Sequence, residues 1–144
     1  MQNHYNLMYR EEEREMLPLC KEEKMGVVPW SPLAGGILTR DWGTSTHRSR
    51  IDPISRNLYA GTGDLDRKIF ERLLDVAEKR GVSRAQITLA WLLQNETVTA
   101  PIVGTTKISH IEDAVASLST KLTPEEITLL EEPYMPHPVI GIEV

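Results

Sequence analysis

Apolar residues recur at helical spacing in three places along the chain and gather into short runs in two others. Between Asp64 and Arg80, Leu65, Ile69, Leu73, Val76 and Ala77 fall on one face of a helix that Gly81 ends. A second helix opens at Ser83-x-x-Gln86 and runs through Ile87, Leu89, Ala90, Trp91, Leu92 and Leu93, apolar nearly all round and therefore packed on more than one side. Near the start, Met16, Leu17, Leu19 and Cys20 give an apolar side to a segment whose front is loaded with Glu11, Glu12, Glu13 and Glu15. This predicts a helix reaching about Lys24 and closed by Gly26, with Pro18 either kinking it or starting its true second half. The short runs Val27-Val28-Pro29-Trp30 and Ala100-Pro101-Ile102-Val103 read as buried strands bounded by turn signals.

Two further helices complete the pattern. Ser109-x-x-Glu112 predicts one reaching about Leu118, and Thr123-Pro124-Glu125-Glu126 predicts another to Glu132, with proline in its first turn. The tail Pro133-Tyr134-Met135-Pro136-His137-Pro138 cannot be helical. Short strands alternating with helices indicate a parallel α/β architecture. Residues 40–63 are polar and rich in Gly, Ser, Thr, Asp and Arg, a long loop or lid inside what otherwise reads as one domain spanning 1–144.

Composition narrows the possibilities. At 144 residues, 40% hydrophobic and 26% charged, the chain suits a single globular domain. A net charge of −5 gives no reason to expect nucleic acid or an anionic membrane as a partner, and no apolar run is long enough to span a bilayer. The single Cys20 excludes an intrachain disulfide, and the absence of a signal-like start makes the cytoplasm the expected compartment. His4, His47, His110 and His137 are scattered without metal-ligand spacing, so no metal is expected.

The richest local chemistry lies between Ala100 and Ala114. An apolar run breaks at Gly104, Thr105, Thr106 and Lys107 follow, and a helix opens. The free N–H groups and positive dipole end of a helix favour an anion, a glycine lets the backbone approach it, and hydroxyls with a cation suit phosphate. An ordinary strand-to-helix connection with a capping box explains the same residues equally well.

Taken together, the motifs VVPWSPLAGG and APIVGTTKISHIEDA, with QNHYNL before them and EEPYMPHPVIG after, resemble the C-terminal portion of the aldo-keto reductase family. The resemblance covers essentially the whole chain and implies an α/β fold that is part of a (β/α)8 TIM barrel, roughly strands 6–8 with their helices and C-terminal tail. It also implies NADPH or NADP+ as cofactor and a small carbonyl compound, reduced to an alcohol, as substrate of the full-length relative. Carried over by position, Gln2 would bond the nicotinamide carboxamide and Trp30 would stack on the nicotinamide ring. Ser31, Pro32, Leu33, Ala34 and Gly35 would run along the pyrophosphate, with Arg40 reaching a phosphate. Gly104, Thr105, Thr106 and Lys107 would hold the 2′-phosphate, and His110 and Asp113 would lie beside the adenosine.

The sequence also departs from the family. Members often carry Arg or Gln at the position of His110, and Glu-Asn where Asp113-Ala114 stands; Ala114 cannot bond the adenine edge. The family's catalytic Asp, Tyr, Lys and His belong to its first four strands, which nothing here resembles, so no catalytic residue is assigned. A full barrel needs about 250 residues. The expectation is a C-terminal fragment of an NADP-dependent oxidoreductase that holds cofactor-binding loops without reaction chemistry and can self-associate through open barrel edges. The alternative is a non-catalytic nucleotide-binding or interaction subunit that completes a barrel with another chain. Trp91 is expected in the core, and Arg48 and Arg50 are candidates to touch a phosphate from the long loop.

Overall fold

The computed structural model describes residues 1–44, 58–59 and 63–136. Five helices organise them: α1 (Met16–Glu22), α2 (Gly63–Arg80), α3 (Arg84–Leu93), α4 (Ile108–Ser117) and α5 (Pro124–Glu131), with single 3-10 turns at Glu11–Glu13 and Ala34–Gly36. The expected positions in the long loop between residues 45 and 57, Arg48 and Arg50 among them, and His137 in the tail lie outside the described residues.

The three short segments at 1–4, 27–30 and 98–102 lie side by side and parallel, with 27–30 in the middle. Val28 N–H donates to the Met1 carbonyl and Trp30 N–H to that of Asn3, both at 2.8 Å. On the other side Thr99 N–H reaches the Val27 carbonyl and Ile102 N–H that of Pro29, again at 2.8 Å. The pairing stays at isolated parallel bridges, His4 with Trp30 and Val27 with Val98, and among the described residues no full strand forms where two were predicted. Pro29 and Pro101 each remove one ladder donor from segments only a few residues long.

The expected first helix is divided. Glu11–Glu13 makes a separate 3-10 turn, and α1 begins at Met16 with Pro18 in its first turn, where a missing N–H leaves no intrahelical bond unmade. Its end also differs: Lys24, not Gly26, takes the left-handed conformation (φ 54°). Gly26 is tightly surrounded instead. A Cβ there would sit 3.0 Å from Thr99 Oγ1, the atom that accepts the Val27 N–H at 3.1 Å. Helix α2 ends as predicted at Gly81 (φ 66°), with Val82 N–H returning to the Ala77 carbonyl.

The core gathers around α2 and α3. Ile69, Leu73 and Val76 of α2 meet Ile87, Ala90 and Leu92 of α3, with Leu130 of α5 and Tyr5, Leu7, Met8, Cys20, Val27 and Leu38 closing the remaining sides. Burial of α3 on nearly every side follows from its all-round apolar sequence. Trp91 is buried as predicted, and its indole N–H donates to Glu131 Oε1 at 2.8 Å. No helix among the described residues is long and apolar enough to cross a membrane.

Candidate functional site

The middle segment delivers Trp30 and the loop after it to one end of the parallel pairing. Trp30 is half-buried, and one face of its indole stacks on the His4 ring at 4.3 Å between centroids; His4 stacks in turn on Tyr9 at 4.4 Å. Behind this three-ring pile, Asn6 Nδ2 donates to the Ser31 carbonyl at 2.9 Å and to the Tyr59 hydroxyl at 3.0 Å. The Tyr59 hydroxyl also bonds His4 Nε2, 2.8 Å away. Burial pushes His4 down to about 4 and, for the opposite charge type, Tyr59 up to about 12.

The loop that follows is bent against ordinary backbone preference. Ser31 (φ 52°) and Ala34 (φ 50°) sit in the left-handed region that non-glycine residues avoid, beside Gly35 (φ 62°) and Gly36 (φ 86°). Such conformations persist where surrounding contacts hold them and cluster at binding loops. Here the contacts are the Asn6 bond to Ser31, a bond from Gly35 N–H to Ser31 Oγ at 3.1 Å, and a long one from Arg40 Nη1 to the Gly35 carbonyl at 3.4 Å. Burial lowers the Arg40 guanidinium from its ordinary value. Pro32 and Ala34 are buried, Leu33 is half-buried, and Gly35 and Gln2 are exposed.

A cavity of about 180 Å³ joins this loop to the Gly104 turn. Leu33 and Thr39 line it from one side, Val103, Gly104, Thr105, His110 and Asp113 from another, and Ser83, Arg84, Ala85 and Leu89 from α3 and its cap. Two stretches far apart in sequence, both predicted as parts of one site, thus share one cavity. A Cβ at Gly104 would meet nothing within 4 Å, so that position opens onto space and is not crowded by backbone. Helix α4 begins at Ile108 with an extended Lys107 as its N-cap and no side-chain cap; the predicted capping box at Ser109 does not form, because Ser109 is already inside the first turn. Thr106 and Lys107 are exposed and lie outside the cavity lining.

Arg84 escaped the sequence reading. It occupies the first position of α3, where a cation opposes the helix dipole, and that misplacement was the available signal. Its Nη2 donates to the Thr39 carbonyl at 3.0 Å and to Asp41 Oδ1 at 3.1 Å, and its guanidinium lies 5.0 Å from the Phe70 ring centroid. The side chain is only 15% exposed, which makes it the cation built into this cavity among the described residues. His4, Asn6 and Tyr59 were likewise unforeseen, since their meeting depends on a contact between residues more than fifty positions apart.

A larger cavity of about 460 Å³ lies elsewhere, lined by Tyr5, Arg10, Glu13, Trp91, Asn95 and Glu131 among others and by none of the predicted site residues. Its charges satisfy one another. Arg10 bonds Glu13 through two nitrogens at 2.8 Å and Glu131 at 3.2 Å, and Tyr5 donates to Glu13 at 2.6 Å. Tyr134 donates to Glu11 and accepts the Arg10 backbone N–H, so this network fastens the tail to the N-terminal segment. It is structural.

The sequence pattern that defines the Aldo/keto reductase family matches residues 1–134. Curated relatives agree with it. The chain is 46% identical over 143 residues to a provisionally named aryl-alcohol dehydrogenase of Schizosaccharomyces pombe, covering 98% of this chain and 43% of that protein. It is 46% identical over 138 residues to the versiconal hemiacetal acetate reductase of Aspergillus parasiticus, covering 94% and 40% respectively. An aldo-keto reductase of Fusarium vanettenii is 42% identical over 143 residues, covering 98% of this chain and 38% of the relative. The chain therefore spans about two-fifths of the length of the curated relatives it matches.

Proposed function

This chain belongs to the aldo/keto reductase family, whose members use nicotinamide cofactors on carbonyl compounds, and from that premise we propose that it is the C-terminal portion of an NADPH-dependent carbonyl reductase. In this reading the parallel segments 1–4, 27–30 and 98–102 are contributions to a (β/α)8 barrel, and the site described above is the cofactor groove. The observation that carries it is the cavity shared by Leu33 and by Gly104, Thr105, His110 and Asp113.

The residues present fit such a cofactor. At about 180 Å³ the cavity is smaller than a whole dinucleotide requires, and it suits the phosphate-bearing adenosine end. The uncapped start of α4 offers backbone N–H groups, Gly104 leaves room for close approach, and Arg84 supplies a charge that a phosphate would share with Asp41. His110 and Asp113, one turn into α4, would flank the adenosine, with Thr105, Thr106 and Lys107 around the 2′-phosphate. Ser31–Gly35, held in its left-handed bend, would follow the pyrophosphate, and Arg40 would close over it. Trp30 has one face committed to His4 and would offer the other to the nicotinamide, with Gln2 bonding the carboxamide. When bound, the cofactor supplies a hydride to a carbonyl carbon; the residues of this chain bind and orient it.

A tyrosine acting as general acid works best with a lowered pKa, and burial pushes Tyr5, Tyr59 and Tyr134 upward instead, which supports the second reading of a non-catalytic cofactor-binding or interaction subunit.

Cofactor titration followed by tryptophan fluorescence tests the assignment. NADPH is expected to bind more tightly than NADH, and Lys107→Ala to weaken NADPH about tenfold, about 1.4 kcal/mol, while leaving NADH unchanged. Equal losses for both cofactors would remove Lys107 from the 2′-phosphate.

A further inference from the structure

Asn6 has no exposed surface, and a primary amide so placed is unfavourable unless its hydrogen-bonding positions are used. Here they are. Its Oδ1 accepts the N–H groups of Met8 at 2.9 Å and Tyr9 at 3.0 Å, closing the turn that follows the first parallel segment. Two donors against one end of the amide identify that end as the oxygen, and the nitrogen takes the other side. Nδ2 donates to the Ser31 carbonyl at 2.9 Å and to the Tyr59 hydroxyl at 3.0 Å, partners 25 and 53 positions along the chain. One buried side chain thus ties three separate stretches together.

Ser31 is the partner that bears on the candidate site. It stands at φ 52° without being glycine, and strain of this kind persists only where contacts over-determine it. Its carbonyl accepts both the Asn6 amide and the Ala34 N–H, the latter at 3.0 Å, and its Oγ accepts the Gly35 N–H at 3.1 Å. Of these three bonds, the one from Asn6 alone comes from outside the loop. The N–H groups of Ala34, Gly35 and Gly36 are all spent within it, whereas those of Ser31 and Leu33 have no acceptor among the described residues. Unpaired N–H groups held in a bent backbone are a setting that anionic oxygens bind.

We propose that Asn6 is a positioning residue for the dinucleotide: by holding the Ser31 carbonyl it presets the bend of residues 31–35 and keeps the Ser31 and Leu33 N–H groups ready for pyrophosphate oxygens. Asn6 acts through Ser31 and touches no cofactor. The proposal rests on the cofactor-groove reading and names the side chain that shapes the groove from beneath. The amide is suited to the task because it accepts at one end and donates at the other. An aspartate would set a carboxylate against the Ser31 carbonyl, and a serine can close the turn but is too short to reach that carbonyl. A loop already bent loses little freedom when its ligand arrives, so releasing it lowers affinity only for the part of the ligand that the loop meets.

Calorimetric titration of the chain with two ligands tests this. NADPH spans the whole groove, whereas adenosine 2′,5′-bisphosphate lacks the nicotinamide half and meets mainly the Gly104 turn. Asn6→Ser and Asn6→Asp are each expected to weaken NADPH about tenfold and the bisphosphate less than about twofold, with the circular dichroism of Asn6→Ser unchanged. Wild-type affinity for NADPH in either variant would overturn the proposal and leave the cofactor groove standing. Equal losses for both ligands, or loss of the fold by both variants, would make Asn6 a residue of general folding and overturn it as well. A wild-type chain that binds neither ligand would overturn the groove itself. One that binds the bisphosphate as tightly as NADPH would leave the adenosine end in place and remove any role for the Ser31 loop, and with it that of Asn6.

Discussion

His4 backs the Trp30 ring from behind. Its ring is pressed between Tyr9 and Trp30, and its Nε2 bonds the Tyr59 hydroxyl at 2.8 Å, so a second proton on the imidazole would place a charge in a buried stack. The sign follows from the lowered value of about 4 against an ordinary 6.5. Above pH 6.5 the ring is neutral whether the chain is folded or not, and it contributes no pH dependence. Between 6.5 and 4 the unfolded chain binds the extra proton and the folded chain does not, so stability falls as the pH is lowered. Urea unfolding should show a loss of about 2 kcal/mol from this residue between pH 7 and pH 5, less what other groups contribute. His4→Gln, which keeps an acceptor but cannot titrate, should flatten that part of the profile. A variant with the wild-type slope would mean that His4 is protonated in the fold.

At the scale of elements, three hydroxyl-x-x-carboxylate or amide signatures looked alike in sequence and end differently. Thr123 and Glu126 close a full reciprocal capping box at α5, with Pro124 in the first turn, and Glu126 also takes Arg80 through two bonds of 2.6 Å. Thr123→Ala is expected to cost about 1 kcal/mol, read as a drop in melting temperature, and an unchanged melt would show that Arg80 alone holds this helix start. Ser83 caps α3 through its own hydroxyl, but Gln86 turns away to Thr120 Oγ1 at 2.8 Å, so only half the box exists. At Ser109 there is none. Local spacing registers where a cap can form; neighbouring chain decides whether the partner side chain is free to make it. The same division separates what was legible in the site. Leu33, His110 and Asp113, carried over from the family resemblance, and Gly104 and Thr105 of the glycine turn line one cavity, whereas Arg84 entered it through the packing of α3 against residues 39–41. Helices α2 and α3 were readable from periodicity over ten or more residues. The short parallel segments were read as strands from apolar runs, and prolines at 29 and 101 limit them to single bridges.

On the proposed reading, binding and chemistry come apart in this chain. The cavity, the bent Ser31–Gly35 loop and Trp30 would hold a dinucleotide, while burial and the acceptors Glu13 and Glu11 raise the pKa of the Tyr5 and Tyr134 hydroxyls. A hydroxyl donating to a carboxylate is stabilised in its protonated form, the reverse of what a proton donor to substrate needs. NADPH incubated with this chain and an aromatic aldehyde is therefore expected to keep its nicotinamide absorbance, even at concentrations where tryptophan fluorescence reports binding. Adding the unmatched portion of a relative should start consumption, with a rate that saturates at one equivalent. Consumption by the chain alone, abolished by Tyr5→Phe or Tyr59→Phe, would place the proton donor inside these residues and reverse the division between gripping the cofactor and using it.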